Sequence, residues 1–322
     1  MARKRATLKD VAKAAGVSLA SASYAVNHTG SLGEDTRTHI LEVAERLGYR
    51  QNLSAKATRT GKTGAIGLVV PDMTNPFFPS LAQTVVQRAR QSGYSVFVTD
   101  TEGDQKQEAE VVRQLIDRGV DGIVWFPVND ENSISRIATD LPIIVLDRTI
   151  PGFECIQADY AEGGRLASDY LIGLGHRNIG IIAGPLDVRS MRDRCEAARE
   201  VIETRGTLAF SVENAFSTEL SHAVANAISK REATAVFCGS DLIAIGVMRY
   251  AVQQGIRIPE DLSVVGFDDI PWAEYCTPGL STVEMPVDEM AVEAVDALLR
   301  KIDGESDANR RVLFGVNLIE RA

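Results

Sequence analysis

Apolar and polar positions alternate with two different periods along the chain. Over residues 7–48 the apolar positions recur every three to four residues: Leu8, Val11, Ala12 and Ala15, then a run from Leu19 to Val26, then Ile40, Val43, Ala44 and Leu47. That spacing puts each set on one helical face. Thr7 and Ser18 stand where N-caps are needed, Gly16 allows a left-handed turn between the first two helices, and Gly48 closes a third helix predicted over Asp35 to Leu47. Three short helices with a glycine turn form a helix-turn-helix layout.

From Ala65 the pattern switches to continuous β-branched runs separated by amphipathic stretches. AIGLVVP (65–71) precedes a helix over 77–92, YSVFVTD (94–100) a helix over about 104–118, and GIVWFP (122–127) a weaker helix, after which PIIVLDR (142–148) follows. A second series runs through ECIQAD (154–159), a helix from 160, NIGIIAGP (178–185), a helix from 189, TAVFCGSD (234–241), a helix to 254 and LSVVGFDD (262–269). Such runs read as parallel strands covered on both faces. The predicted fold class is α/β, with an all-α helix-turn-helix head and two doubly wound parallel-sheet lobes.

Charge sharpens the division. The net charge of −10 is unevenly spread: residues 1–62 hold 11 Lys and Arg against 5 Asp and Glu, the remainder 23 against 39. A basic head on an acidic body suits a phosphate-binding module fused to a domain with another task. No apolar run reaches the length of a membrane span, and no apolar segment follows the basic Met1–Arg5 start, so a cytoplasmic protein without membrane contact is expected. The four cysteines, Cys155, Cys195, Cys238 and Cys276, are scattered without CxxC spacing or nearby histidines, and neither metal nor cofactor is expected. Gly61-Lys62-Thr63 imitates the end of a phosphate loop, but Lys56 stands where the partner glycine belongs. No GxGxxG, GxSxG or HExxH motif occurs, and His176 and His222 lack recognisable partners, so binding without turnover is expected.

The segments TLKDVAKAAGVSLASASYAVN (Thr7 to Asn27) and TRTHILEVAERLGY (Thr36 to Tyr49) resemble the DNA-binding head of the lactose-repressor (LacI/GalR) family. The resemblance implies double-stranded DNA as partner, with Leu19, Ala20 and Tyr24 facing base edges in the major groove. Leu and Ala can pack on a thymine methyl and the Tyr hydroxyl can donate or accept. Core packing remains open for Leu19, and phosphate or solvent contact for Tyr24. Thr7, Ser18, Ser21, Ser23 and Asn27 are candidates for phosphate contacts, which position without specifying; Arg3, Lys4 and Arg5 would add salt-sensitive affinity. In relatives the following linker folds into a hinge helix whose Leu wedges into the minor groove. Aligned from Tyr49 that position is Thr58, a poorer wedge, between the candidate backbone contacts Lys56 and Arg59, and Gln51 replaces the usual Pro. A smaller operator kink, or a wedge supplied by another residue, is expected.

In open α/β sheets ligands bind beyond the carboxyl ends of strands. The candidates there are Asp72 to Phe78, Asp100, Asp147-Arg148, Asp159, Ser240-Asp241 and Asp268-Asp269, although each acid could instead cap the helix that follows. Acids, an Arg and aromatic rings suit a polyhydroxylated ring. Residues 65–321 resemble the effector domain of the same family, similar to ribose-type periplasmic binding proteins, through MTNPFF (73–78), VLDR (145–148), RDR (192–194), VFCGSD (236–241) and VVGFDD (264–269). The resemblance implies a cleft lined by Asn75, Phe77, Phe78, Asp147, Arg148, Ser190, Arg194, Phe216, Ser240 and Asp268, with Asp268 and Arg194 foremost and Ser190 and Asp159 weaker. Ser240 and Met285 stand where ribose-type binders carry amides, which argues against ribose itself.

The expected organisation is a head over 1–50, a linker over 51–62, an N-terminal lobe over 63–159 with 286–309, and a C-terminal lobe over 160–285 with 310–322. The implied protein is a transcriptional regulator, expected to repress, whose grip on a pseudo-palindromic operator answers to a small effector, a sugar or sugar derivative. No heptad segment trails Leu318 to Ala322, so a homodimer is expected rather than a tetramer. A purine or phosphorylated-sugar effector, and a plain sugar-binding protein, are the alternatives; the head weighs against the second.

Overall fold

A computed structural model describes residues 6–27, 29–49, 61–135, 137, 140–305 and 310–321. Its packing separates two units, Met1–Thr63 and Gly64–Ala322.

The first unit holds α1 (Leu8–Ala15), α2 (Leu19–Val26) and α3 (Glu34–Arg46). Thr7 opens α1 with a capping box: Asp10 Oδ2 accepts the Thr7 N–H at 2.8 Å, and Thr7 Oγ1 accepts the Asp10 N–H at 3.4 Å. Gly16, at φ +67°, turns the chain into Ser18, whose Oγ accepts the Ser21 N–H at 3.0 Å and starts α2. Val11, Ala12, Ala22, Ala25, Ile40, Val43 and Ala44 form the core. Four of these seven are alanines, so the helices pack closely around a core of little bulk.

The second unit contains two six-stranded sheets. The first has the order β11-β5-β4-β3-β1-β2 and is wholly parallel: β1 (Ala65–Val70), β2 (Ser95–Asp100), β3 (Ile123–Trp125), β4 (Ile143–Leu146), β5 (Glu154–Ala158) and β11 (Arg311–Phe314). Helices α4 (Phe77–Gln91), α5 (Gln105–Asp117) and α11 (Val287–Ile302) cover it. The second sheet has the order β12-β10-β9-β8-β6-β7, where β6 is Asn178–Ala183, β7 Thr207–Glu213, β8 Ala235–Cys238, β9 Ser263–Asp268, β10 Ser281–Glu284 and β12 Asn317–Ile319. Only the β10–β12 pair is antiparallel. Its helices are α6 (Tyr160–Gly173), α7 (Arg189–Arg205), α8 (His222–Ser229), α9 (Asp241–Gln253) and the short α10 (Trp272–Tyr275). Central strands such as β4 and β8 are buried at every residue, as β-branched runs covered on both faces must be.

The chain crosses between the lobes three times, after β5, after β10 and between β11 and β12. The last crossing corrects the expected division: residues 310–322 do not belong wholly to the second lobe, because Arg311–Phe314 pairs with Cys155–Ala158 in the first sheet. A second correction concerns the weaker helix expected after Pro127. Among the described residues of 128–141 there are turns and no helix. No helix is long and apolar enough to cross a membrane, among the described residues.

Candidate functional site

The carboxyl ends of the strands of both sheets face one cavity of about 310 Å³, a size at the lower end of small-molecule sites. Asp72 and Asn75 follow β1, Phe126 and Val128 follow β3, and Asp147 and Arg148 follow β4; Asp187, Ser190 and Arg194 come after β6, Phe216 after β7, Asp268 ends β9 and Met285 follows β10. Three phenylalanines, Phe77 and Phe78 at the start of α4 and Phe126 beyond β3, pack edge to face with centroids 5.2, 6.0 and 4.9 Å apart.

The polar wall is bonded within itself. Arg148 is paired with Asp147 and donates to Ser190 Oγ at 3.1 Å, and Ser190 Oγ donates to Asp147 Oδ2 at 3.1 Å, so these bonds join the two lobes. The Arg148 guanidinium also lies 5.3 Å from the centre of the Phe126 ring. On the other lobe Arg194 donates to Gly239 O at 2.6 Å, Ser190 O at 3.3 Å and Asp268 Oδ1 at 3.3 Å, with its guanidinium 3.9 Å from the Phe267 ring centre. The rigid planar fork of Arg194 is thereby fixed from several sides.

Backbone and neighbours aim these groups. Asp147 at φ +68° and Asp268 at φ +114° occupy conformations that a non-glycine residue adopts at a cost, and such strain concentrates at ligand sites. Behind Asp268, the buried Asp241 accepts the Ile270 N–H at 2.9 Å and the Thr282 hydroxyl at 2.5 Å, tying down the turn. Arg194 is placed by the close approach of α6 and α7, where a Cβ on Gly164 would stand 2.0 Å from Arg194 O. Burial pushes the Asp147 carboxyl up to about 7 and that of Asp268 up to about 6, against the pull of Arg194 on both. Burial lowers Arg148 to about 10, which leaves it charged near neutrality.

Of the expected cleft residues, Asn75, Phe77, Phe78, Asp147, Arg148, Ser190, Arg194, Phe216 and Asp268 line this cavity. Ser240 does not: its Oγ turns back to accept the Ile243 N–H at 3.5 Å and caps α9. Asp159 likewise caps α6 by accepting the Glu162 N–H at 2.9 Å, and Asp100 holds the N–H groups of Met73 and Glu102 at 2.8 and 2.7 Å. Phe126, Val128 and Asp187 were not legible as lining residues. Phe126 reads as the tail of an apolar strand, and Asp187 as part of a loop.

On the head, Leu19, Ala20 and Tyr24 are all exposed along α2, so Leu19 is not a core residue. The Tyr24 ring lies over Gly30, where a Cβ would come within 2.8 Å of it, and Arg37 donates to Tyr24 O at 3.3 Å. Thr7 and Ser18 spend their hydroxyls on capping, Ser21 shares a hydrogen bond with Ser18 at 2.9 Å, and Asn27 Nδ2 donates to Ser23 O and Oγ at 2.7 and 3.1 Å. Lys56, Thr58 and Arg59, like Arg3, Lys4 and Arg5, lie outside the described residues.

Comparison with known proteins agrees with this division. Residues 7–52 match bacterial regulatory proteins of the lacI family, and residues 168–322 a periplasmic binding protein-like domain. The HTH-type transcriptional regulator DegA of Bacillus subtilis is 31% identical over 98% of this chain and 97% of its own. The lac repressor dimer bound to operator and the anti-inducer ONPF superposes with a TM-score of 0.86 at 26% identity, covering 99% of this chain and 98% of that one. A LacI-family transcriptional regulator from Enterococcus faecium with bound ribose matches at a TM-score of 0.70 and 26% identity, over 80% of this chain and 97% of that one. The chain therefore belongs to the lacI family of bacterial regulatory proteins, as a helix-turn-helix DNA-binding transcriptional regulator with a periplasmic-binding-protein-like effector domain, and it is not an enzyme.

Proposed function

We propose that the protein is a repressor whose hold on a pseudo-palindromic operator is controlled by a neutral polyhydroxylated ligand, a sugar or sugar derivative, bound between the lobes. One observation carries the reading. Two guanidiniums and several carboxylates meet an aromatic wall in one cavity, with Arg194 and Asp268 paired on its second-lobe side. Vicinal hydroxyls match the paired donors of Arg194 and the two oxygens of Asp268, and the C–H face of a sugar ring matches the phenylalanines. Asn75, Asp147, Arg148, Ser190 and Phe216 complete the proposed contacts.

Asp72, Asp147, Asp187 and Asp268 outnumber Arg148 and Arg194, which disfavours a phosphorylated effector. Phe77, Phe78 and Phe126 meet at interplanar angles of 84°, 74° and 89°, so they leave no parallel faces for a purine to enter. The homodimer is proposed from the likeness to the dimeric lac repressor, and two heads on one dimer suit a two-fold symmetric operator. A ligand that prefers the closed lobes then shifts operator affinity through its differential binding. Thr58 in place of a wedging Leu should reduce the operator bend; Thr58→Leu is expected to increase it in a circular-permutation gel shift, and an unchanged bend would refute the point.

The test is a thermal-shift screen of the full-length protein against pentoses, hexoses, sugar alcohols, sugar phosphates and purines. A ligand at a hundredfold excess over Kd stabilises by about 2.7 kcal/mol. A neutral sugar hit that Asp268→Asn and Arg194→Lys abolish supports the assignment. A hit confined to phosphates or purines overturns the ligand class.

A further inference from the structure

Helix α7 begins without a cap of its own. Val188 occupies its N-cap position and makes no side-chain hydrogen bond there, although the first N–H groups of any helix need acceptors. The acceptor comes from the other lobe. Asp130 Oδ2, beyond β3, takes the Arg189 N–H at 2.6 Å and Arg192 Nη2 at 3.2 Å. Arg192 is braced by donating to Leu186 O at 2.6 Å. A carboxylate in this place also meets the positive end of the helix dipole.

Neither Asp130 nor Arg192 lines the cavity, yet both ends of the contact are tied to it. Asp130 stands two residues past Val128, a lining residue whose N–H donates to the fully buried Glu108 at 2.6 Å. Glu108 also accepts from Trp125 Nε1 at 3.2 Å, so the segment leaving β3 is anchored from inside its own lobe. On the other side, the first turns of α7 carry Ser190 and Arg194.

We propose that Asp130 is a positioning residue, a helix cap supplied by one lobe to the other, which holds α7 with Ser190 and Arg194 over the first lobe before an effector arrives. The proposal rests on reading the cavity as the effector site and adds how that site is held. Closure is then partly built into the ligand-free protein, and the effector acts on an equilibrium that Asp130 and Arg192 have already biased. Asp130→Asn keeps an acceptor for the Arg189 N–H but loses the charge facing Arg192, Asp130→Ala loses both, and Arg192→Ala leaves the cap alone.

The test is a lobe-to-lobe distance measured by paired spin labels on the ligand-free full-length protein. The exposed Lys106 and Glu200 are replaced by Cys in a Cys276→Ser background, the other three cysteines being buried. Hydrogen exchange of the first turn of α7 is followed in parallel. Asp130→Ala is expected to move the distance distribution outward and to speed exchange at 189–192 by roughly tenfold, with Asp130→Asn and Arg192→Ala between it and the parent. Faster exchange with an unchanged distance would reduce Asp130 to a local cap and overturn the proposal, as would no change in either. If Asp130→Ala fails to fold, the Asn variant and Arg192→Ala decide by the same distances. No ligand enters the measurement, so a failed sugar screen leaves its result standing, and the converse holds as well.

Discussion

Leu19, Ala20 and Tyr24 stand exposed on a helix whose caps and core are complete without them, whereas Asp147, Arg148 and Ser190 are buried and bonded to one another across two lobes, with Arg194 buried beside them. In the head, the side chains proposed for recognition are separate from those for folding. Ala22 and Ala25 hold α2 in place while its opposite face stays exposed. In the cleft the two tasks fall on the same atoms. Arg194 joins α7, the end of β8 and the end of β9, and it is also the side chain proposed to meet a ligand. Substitutions in the head should therefore change function and stability separately, and those in the cleft should change both.

The largest expected effect breaks the cleft from behind. Gly164→Ala would drive a methyl into Arg194 O, and backbone cannot step aside as a side-chain end can. A loss of about 3 kcal/mol in denaturant unfolding is expected, together with the sugar-induced thermal shift. Full stability with intact ligand response would show that α6 and α7 can part without disturbing Arg194. Next comes the head: Leu19→Ala should weaken operator binding about tenfold while shifting stability by no more than about 0.5 kcal/mol, which titration and melting read separately. A melting loss as large as the binding loss would erase the contrast between the two regions. Ser18→Ala sharpens it from the other direction, because that hydroxyl serves folding. The head should lose about 1 kcal/mol of stability, measured on the full-length protein by exchange of α2 amides.

The last effect is electrostatic. Burial raises Asp147 from 3.8 to about 7, so the folded protein keeps a proton that the unfolded chain has already released. Stability linked to this group is complete below about pH 4 and is lost as pH rises to about 7. Asp268, raised to about 6, contributes in the same sense over a narrower range. The melting temperature of the ligand-free protein is expected to fall between about pH 5 and pH 7.5, and less steeply in Asp147→Asn. An identical slope in the variant would remove Asp147 from the account.

The head was legible nearly to the residue, because amphipathic period, caps and a turn glycine are local signals; α3, at Glu34–Arg46, lies one residue early at each end, and Leu47, expected to face inward, is exposed. Asp147, Arg148 and Asp268 were legible because β-branched runs mark where strands end, and strand ends face the cleft. The same rule misplaced Ser240, since a serine at a strand end is also the preferred cap of the following helix, and here it caps. Phe126 escaped because periodicity cannot tell the last residue of a buried strand from the first to turn into a cavity. The place of Arg311–Phe314 in the first sheet and the reach of Asp130 to α7 depend on pairings across long stretches of chain, which no local pattern encodes.

The three crossings of the chain have a practical consequence for dissecting the molecule. Because β11 returns to the first sheet and β12 then leaves for the second, neither lobe is a continuous stretch of polypeptide. A fragment that stops after β5 lacks both α11 and the edge strand of its sheet, and one that starts at α6 carries both without the rest of that lobe. Isolating either half would require splicing distant segments or moving the termini, so a truncation series through this region would report the loss of a shared scaffold and could not locate a task in one half.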